Sequence, residues 1–161
     1  MFKQADLLKL AESNGIKIEK HRLPAGIKSI YTELKECPVI ICLNKQLTSP
    51  ECTVELAVCL GFYFTRSENN PSSSEKRTKA EDWAYTHLVP VETFTQAFAS
   101  GAADIAGIAE YASLTPDFIR KAAQFYAGRL GSYITIGSFC VIFEPLSICL
   151  LYTSDAADDR I

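Results

Sequence analysis

A chain of 161 residues, 48% apolar and 22% charged, is long enough to bury a core of its own and is the size of one domain. Its formal net charge of -3 gives no concentrated basic face of the kind nucleic-acid binding rests on, and suits a solvated, cytoplasmic surface. Six cysteines with no CxxC pair argue against a structural zinc knuckle and for reduced, buried thiols.

The opening "MFKQADLLKLAESNG" sets Leu7, Leu8, Leu10 and Ala11 on one face of a helix over residues 2–14, stopped by Asn14-Gly15. It carries neither a continuous apolar h-region nor a small-residue cleavage site, so it reads as an amphipathic helix rather than a signal peptide. Three strand-like runs follow. "IKIEKHRL" alternates as a half-exposed strand does, "GIKSIYTEL" follows the turn Pro24-Ala25-Gly26, and "CPVIICL" is the continuous apolar run of a more buried strand.

Ser49-Pro50-Glu51 starts a helix with a serine N-cap, proline at the first helical position and an acid in the first turn, and that helix runs to Phe64. The polar run "RSENNPSSSEKR" is a loop by its breakers. Helices are expected over residues 76–88, 91–100, 104–112 and 116–130, the last capped by Thr115 with Pro116 behind it. The fold class is therefore α+β, a small N-terminal sheet packed on a helical core whose C-terminal part spans about residues 91–131.

The run "YITIGSFCVIFEPLSICLL" is broken by Glu144-Pro145 and falls short of a membrane span, which needs about 20 apolar residues. After it, "CLLYTSDAADD" is similar, codon for codon, to the translation of a common sequencing-library adapter. On that likeness the domain is expected over residues 1–148, with residues 149–161 a non-native tail and the natural C-terminus beyond Ile148 absent.

The ordered series "RLPAGIKSIY", "PVIICLNKQLT", "TVELAVCLGFYFT" and "KAEDWAYTHLVP", with "IAEYASLTPDFIRKAAQFY" downstream, resembles the ImmA/IrrE family of small zinc metallopeptidases of bacteria and their mobile elements. The likeness covers about residues 16–131 and implies a zincin-like scaffold. In that family one helix carries HELGH or EELGH and a second carries Glu-x-x-Ala before a leucine-proline stop. Ligands at i and i+4 share a helical face and reach one zinc, and the glutamate between them takes a proton from zinc-bound water whose pKa the metal lowers to about 7.

The resemblance puts the third-ligand position on Glu81. Aligning Leu60-Gly61 with the family's Leu-Gly puts Val58 and Phe62 at the helix ligand positions and Cys59 at the general base. Valine and phenylalanine have no lone pair to give a metal. The expectation is therefore a scaffold without hydrolysis and with no cofactor as written, where the family would hold Zn2+. It would act by gripping a partner such as a repressor-like regulator. The structural alternative for Val58, Phe62 and Cys59 is plain core packing, and for Glu81 a solvated helix acid.

Two further readings stay open. One is an altered zinc peptidase using Glu81 and Cys59, to which His21, on an exposed strand face, and His87, turned away from Glu81, add no simple ligand. The other is a DNA-binding helix-turn-helix over residues 104–130, with Arg120, Lys121 and Arg129 on phosphate. No membrane contact is expected.

Overall fold

The computed structural model describes residues 1–152, and the fold is α+β. The elements run α1 (Gln4–Ser13), β1 (Lys17–His21), β2 (Ser29–Thr32), β3 (Ile40–Asn44), α2 (Ser49–Phe64), α3 (Ser73–Leu88), α4 (Glu92–Ala99), α5 (Ile105–Ala112), α6 (Pro116–Leu130), then β4 (Tyr133–Ile136), β5 (Phe139–Phe143) and β6 (Leu146–Leu150).

The N-terminal sheet has the order β1-β3-β2, with β1 parallel and β2 antiparallel to β3. Alternation along β3 turns Ile41 and Leu43 inward, where both are buried, and Ile41 pairs with Ile18 on one side and Tyr31 on the other. That inner face packs on α2, the most enclosed helix of the molecule. Every residue from Leu56 to Gly61 is buried, as a helical stretch that is apolar all round must be. Burial of side chains the size of Leu56 and Leu60 stabilises the fold by about 1.5–3 kcal/mol each.

α2 begins one residue earlier than the serine-cap reading has it. Thr48, not Ser49, is the N-cap. Its hydroxyl accepts from the Glu51 amide while Glu51 Oε2 accepts from the Thr48 amide at 2.8 Å, a reciprocal box that places Pro50 in the first turn. α3 likewise starts at Ser73 rather than at residue 76, because Ser72 and Glu75 close the same box inside the polar run read as loop. α1 is shorter than the 2–14 reading, since Phe2 extends and its amide donates to His87 O at 2.9 Å.

The second sheet, β4-β5-β6, is antiparallel and was not anticipated. Ile136 pairs Phe139 across the two-residue turn Gly137-Ser138, with Gly137 at φ 58, and Phe143 pairs Leu146 across Glu144-Pro145. Val141 and Phe143 face inward, Phe143 meeting Phe94 of α4 and Tyr126 of α6 at ring separations of 6.0 and 5.9 Å. The helical part therefore ends in a sheet. β6 also crosses the expected boundary at residue 148: Cys149 pairs Cys140 and Leu150 pairs Phe139. The rest of the expected tail, from residue 153 on, lies outside the described residues. No helix among the described residues is long and apolar enough to cross a membrane.

Candidate functional site

The exposed face of α2 is flanked by two cavities. The first, about 420 Å³, has α2 as its floor, where Val54 and Val58 are separated by one turn. Its walls are Arg77, Glu81 and Tyr85 from α3, Thr115, Phe118 and Lys121 from the start of α6, and Lys28 just before β2. The second, about 410 Å³, lies further along α2 around Phe62 and Thr65, between Tyr31 and Glu33 on one side and Lys76 on the other.

This separates the residues picked out by spacing. Val58 of α2 and Glu81 of α3 line the same cavity. Phe62, one turn beyond Val58, lines the neighbouring cavity instead and packs on Tyr31 with ring centroids 5.7 Å apart. Glu81 is half-buried and has a cation: Arg77, one turn back on α3, donates from Nε to its Oε1 at 2.9 Å.

Cys59, at the family's base position, is 2% exposed. Burial pushes its thiol up to about 11, with Ser29 pulling the other way and the charge of Glu55 adding to the rise. The Ser29 hydrogen bond and the Arg77 charge do not offset the burial, and a protonated thiol accepts no proton from water at neutral pH. Ser29 itself donates to Glu55 Oε2 at 2.7 Å, tying β2 to α2 beside the first cavity.

The residues present do not fit a zinc ion. Of the three positions to which the resemblance points, Val58 and Phe62 hold hydrocarbon side chains and Glu81 is engaged by a guanidinium, whereas a catalytic zinc site needs about three protein ligands. Among the described residues no three His, Cys, Asp or Glu side chains converge as a metal-holding group. The histidines stay apart from the cavities. His21 is exposed and pairs with Glu19 at 2.9 Å, and His87 stacks on Trp83 at 4.0 Å while Nδ1–H donates to the Trp83 carbonyl.

α5 and α6 are joined by a tight turn in which Ser113 is left-handed, at φ 56. Their cations are already occupied. Arg120 and Lys121 both reach Asp117, and Arg129 reaches Asp82 of α3 while lying over the Phe125 ring. Sequence reasoning missed the charged wall: Lys28, Arg77 and Lys121 come from three distant segments, and no local pattern announces their convergence. Compared with known proteins, no family model matches the chain and no curated protein matches it.

Proposed function

We propose that this chain is a binding protein on an ImmA/IrrE-like, zincin-type scaffold that grips a repressor-like regulator without cutting it. The observation that carries this reading is the pairing of Val58 with Glu81 across one cavity. Both helices line that cavity, where Val54 and Val58 share the α2 floor with Glu51 and Glu55 and the Glu81 carboxylate is held by Arg77. A cleft with charged walls and a partly apolar floor recognises a segment of another protein through shape and ion pairs. Val58 and Phe62 offer no metal ligand and the protonated Cys59 no base at the positions to which the resemblance points, which supports gripping without hydrolysis.

The test combines three readouts on the purified chain. Zinc content is measured by elemental analysis. A repressor from the genome that carries the gene is then mixed with the chain, and association is read by gel filtration and integrity by intact mass. The expected result is no stoichiometric zinc and a complex in which both chains are whole. Fragmentation of the repressor, or no complex at all, overturns the proposal.

A further inference from the structure

In the first cavity four carboxylates face three cations. Arg77 pairs with Glu81 at 2.9 Å and Lys121 with Asp117 at 3.1 Å. Glu51 is turned onto Thr48 as a helix cap, and the charge of Lys28, which makes no salt bridge among the described residues, acts on it as well. Glu55 is left over. It is half-buried, and its Oε2 accepts from the Ser29 hydroxyl at 2.7 Å, while its Oε1 has no donor among the described residues.

Tyr85 brings a second free group to the same cavity. It is 8% exposed, its ring held between Phe118 and Phe125 at centroid separations of 5.1 and 5.4 Å. A buried tyrosine usually finds a partner for its hydroxyl, as Tyr126 does by donating to the Val89 carbonyl at 2.7 Å. The Tyr85 hydroxyl has none among the described residues. No fully enclosed side-chain oxygen among those residues lacks a partner, so this hydroxyl opens onto the cavity that Tyr85 lines. Burial, with the charges of Glu81 and Asp82 adding to it, pushes the hydroxyl up to about 12. It therefore stays neutral at physiological pH and can accept as well as donate.

We propose that the first cavity receives one primary ammonium group, the lysine side chain of a partner segment, with its stem along Val54 and Val58 and its charge shared between Glu55 Oε1 and the Tyr85 hydroxyl oxygen. This rests on the binding reading above and specifies the side chain that is gripped. The excess carboxylate favours a cation over a neutral or acidic side chain. With Oε2 engaged by Ser29, Glu55 suits an ammonium, a point charge that needs one oxygen, better than a guanidinium, whose fork is matched by two. Only one side chain of the segment has to face α2, so neither direction of its backbone is presupposed.

The experiment titrates the full chain with end-blocked Ala-Ala-Lys-Ala-Ala and with the same peptide carrying Nε-acetyl-lysine, which keeps the stem and removes the charge. Binding is read from the methyl resonances of Val54 and Val58. The lysine peptide is expected to bind about fivefold tighter, the gain from one partly exposed ion pair, and to lose that advantage as salt is added. Glu55→Gln, which keeps an oxygen for Ser29, should erase the difference between the peptides. Tyr85→Phe should weaken the lysine peptide about threefold and leave the melting temperature unchanged, because the hydroxyl has no partner to lose in the folded chain. Lys28→Gln should tighten it by removing a like charge. Equal affinity for the two peptides, no binding of either, or a lysine preference that survives Glu55→Gln overturns the inference. The repressor assay reads the other proposal separately. A complex formed without any lysine preference leaves gripping intact and removes the ammonium site, whereas a lysine preference in a chain that forms no complex does the reverse.

Discussion

Gly61 of α2 lies against Ala80 of α3 so closely that a Cβ at position 61 would sit 2.8 Å from the Ala80 Cα and closer still to its carbonyl oxygen. The contact is backbone against backbone, so no side chain can move aside. It sets the approach of the two helices whose residues Val58 and Glu81 face the first cavity. Gly61→Ala gains about 1 kcal/mol of helix propensity, but overpacking against a rigid backbone costs about 3 kcal/mol. The clash wins. A net loss of about 2 kcal/mol should lower the melting temperature by roughly 4–8 °C in a chain of this size. An unchanged or higher melting point would mean that the helices have room to part.

The two capping boxes make stability depend on acid. The Thr48 amide and hydroxyl hold the Glu51 carboxyl below its ordinary value near 4.5, and Ser72 does the same for Glu75. A lowered folded pKa contributes stability that is whole above the ordinary value and is lost as pH falls through the folded one. Melting temperature should therefore stay level from neutral pH down to about 4.5 and drop below it. Glu51→Gln and Glu75→Gln should each flatten part of that drop, and a variant as acid-sensitive as the parent would remove its box from the account.

Thiol chemistry should sort the six cysteines by burial. Cys37 and Cys149 are exposed, whereas Cys52 and Cys59 are buried and the Cys59 thiol is raised to about 11. Mild iodoacetamide at pH 8, mapped by peptide mass, should label the exposed pair first and leave Cys59 intact until the protein unfolds. Early labelling of Cys59 in the folded chain would reveal an activated thiol and reopen the altered-peptidase reading.

Local chemistry explains which parts of the fold could be read in advance. Thr115-Pro116 and Pro50-Glu51 act within one turn of their own helices, so α2 and α6 were placed to within a residue or two. Ser72 and Glu75 act just as locally, but they lie in a run whose polarity drowned the signal. The second sheet is hidden in the sequence by its continuous apolar run, which resembles a short membrane span more than three strands. The Gly137-Ser138 turn between two short apolar stretches was the available clue. At the site, the i, i+4 spacing put Val58 and Phe62 on one side of α2, and tertiary packing then divided them: Tyr31 arrives from β2 and takes Phe62 into the next cavity. Arg77 beside Glu81 was one turn away in sequence, and the spacing was open to reading as an ion pair.

Building a metal site tests the proposal that the chain has a peptidase scaffold lacking only its catalytic apparatus. Val58→His, Cys59→Glu and Phe62→His would supply two ligands at i and i+4 with a base between them; Glu81 lines the Val58 cavity already, and the smaller histidine at position 62 has to leave the place Phe62 takes against Tyr31 to join them. The apo variant should be less stable than the parent, because polar groups replace Val58 and Cys59, which are 8% and 2% exposed. Zinc should return much of that loss, since an ion bound only by the folded state shifts the melt upward with its concentration. Arg77 competes for the Glu81 carboxylate at 2.9 Å, so adding Arg77→Ala should strengthen the zinc response. Thermal melts with and without zinc, on the parent, the triple and the quadruple variant, decide the matter. A zinc effect that is the same in parent and triple variant, whether present or absent, would show that the helix carrying Leu60-Gly61 is not a degenerate HELGH and would end the family proposal.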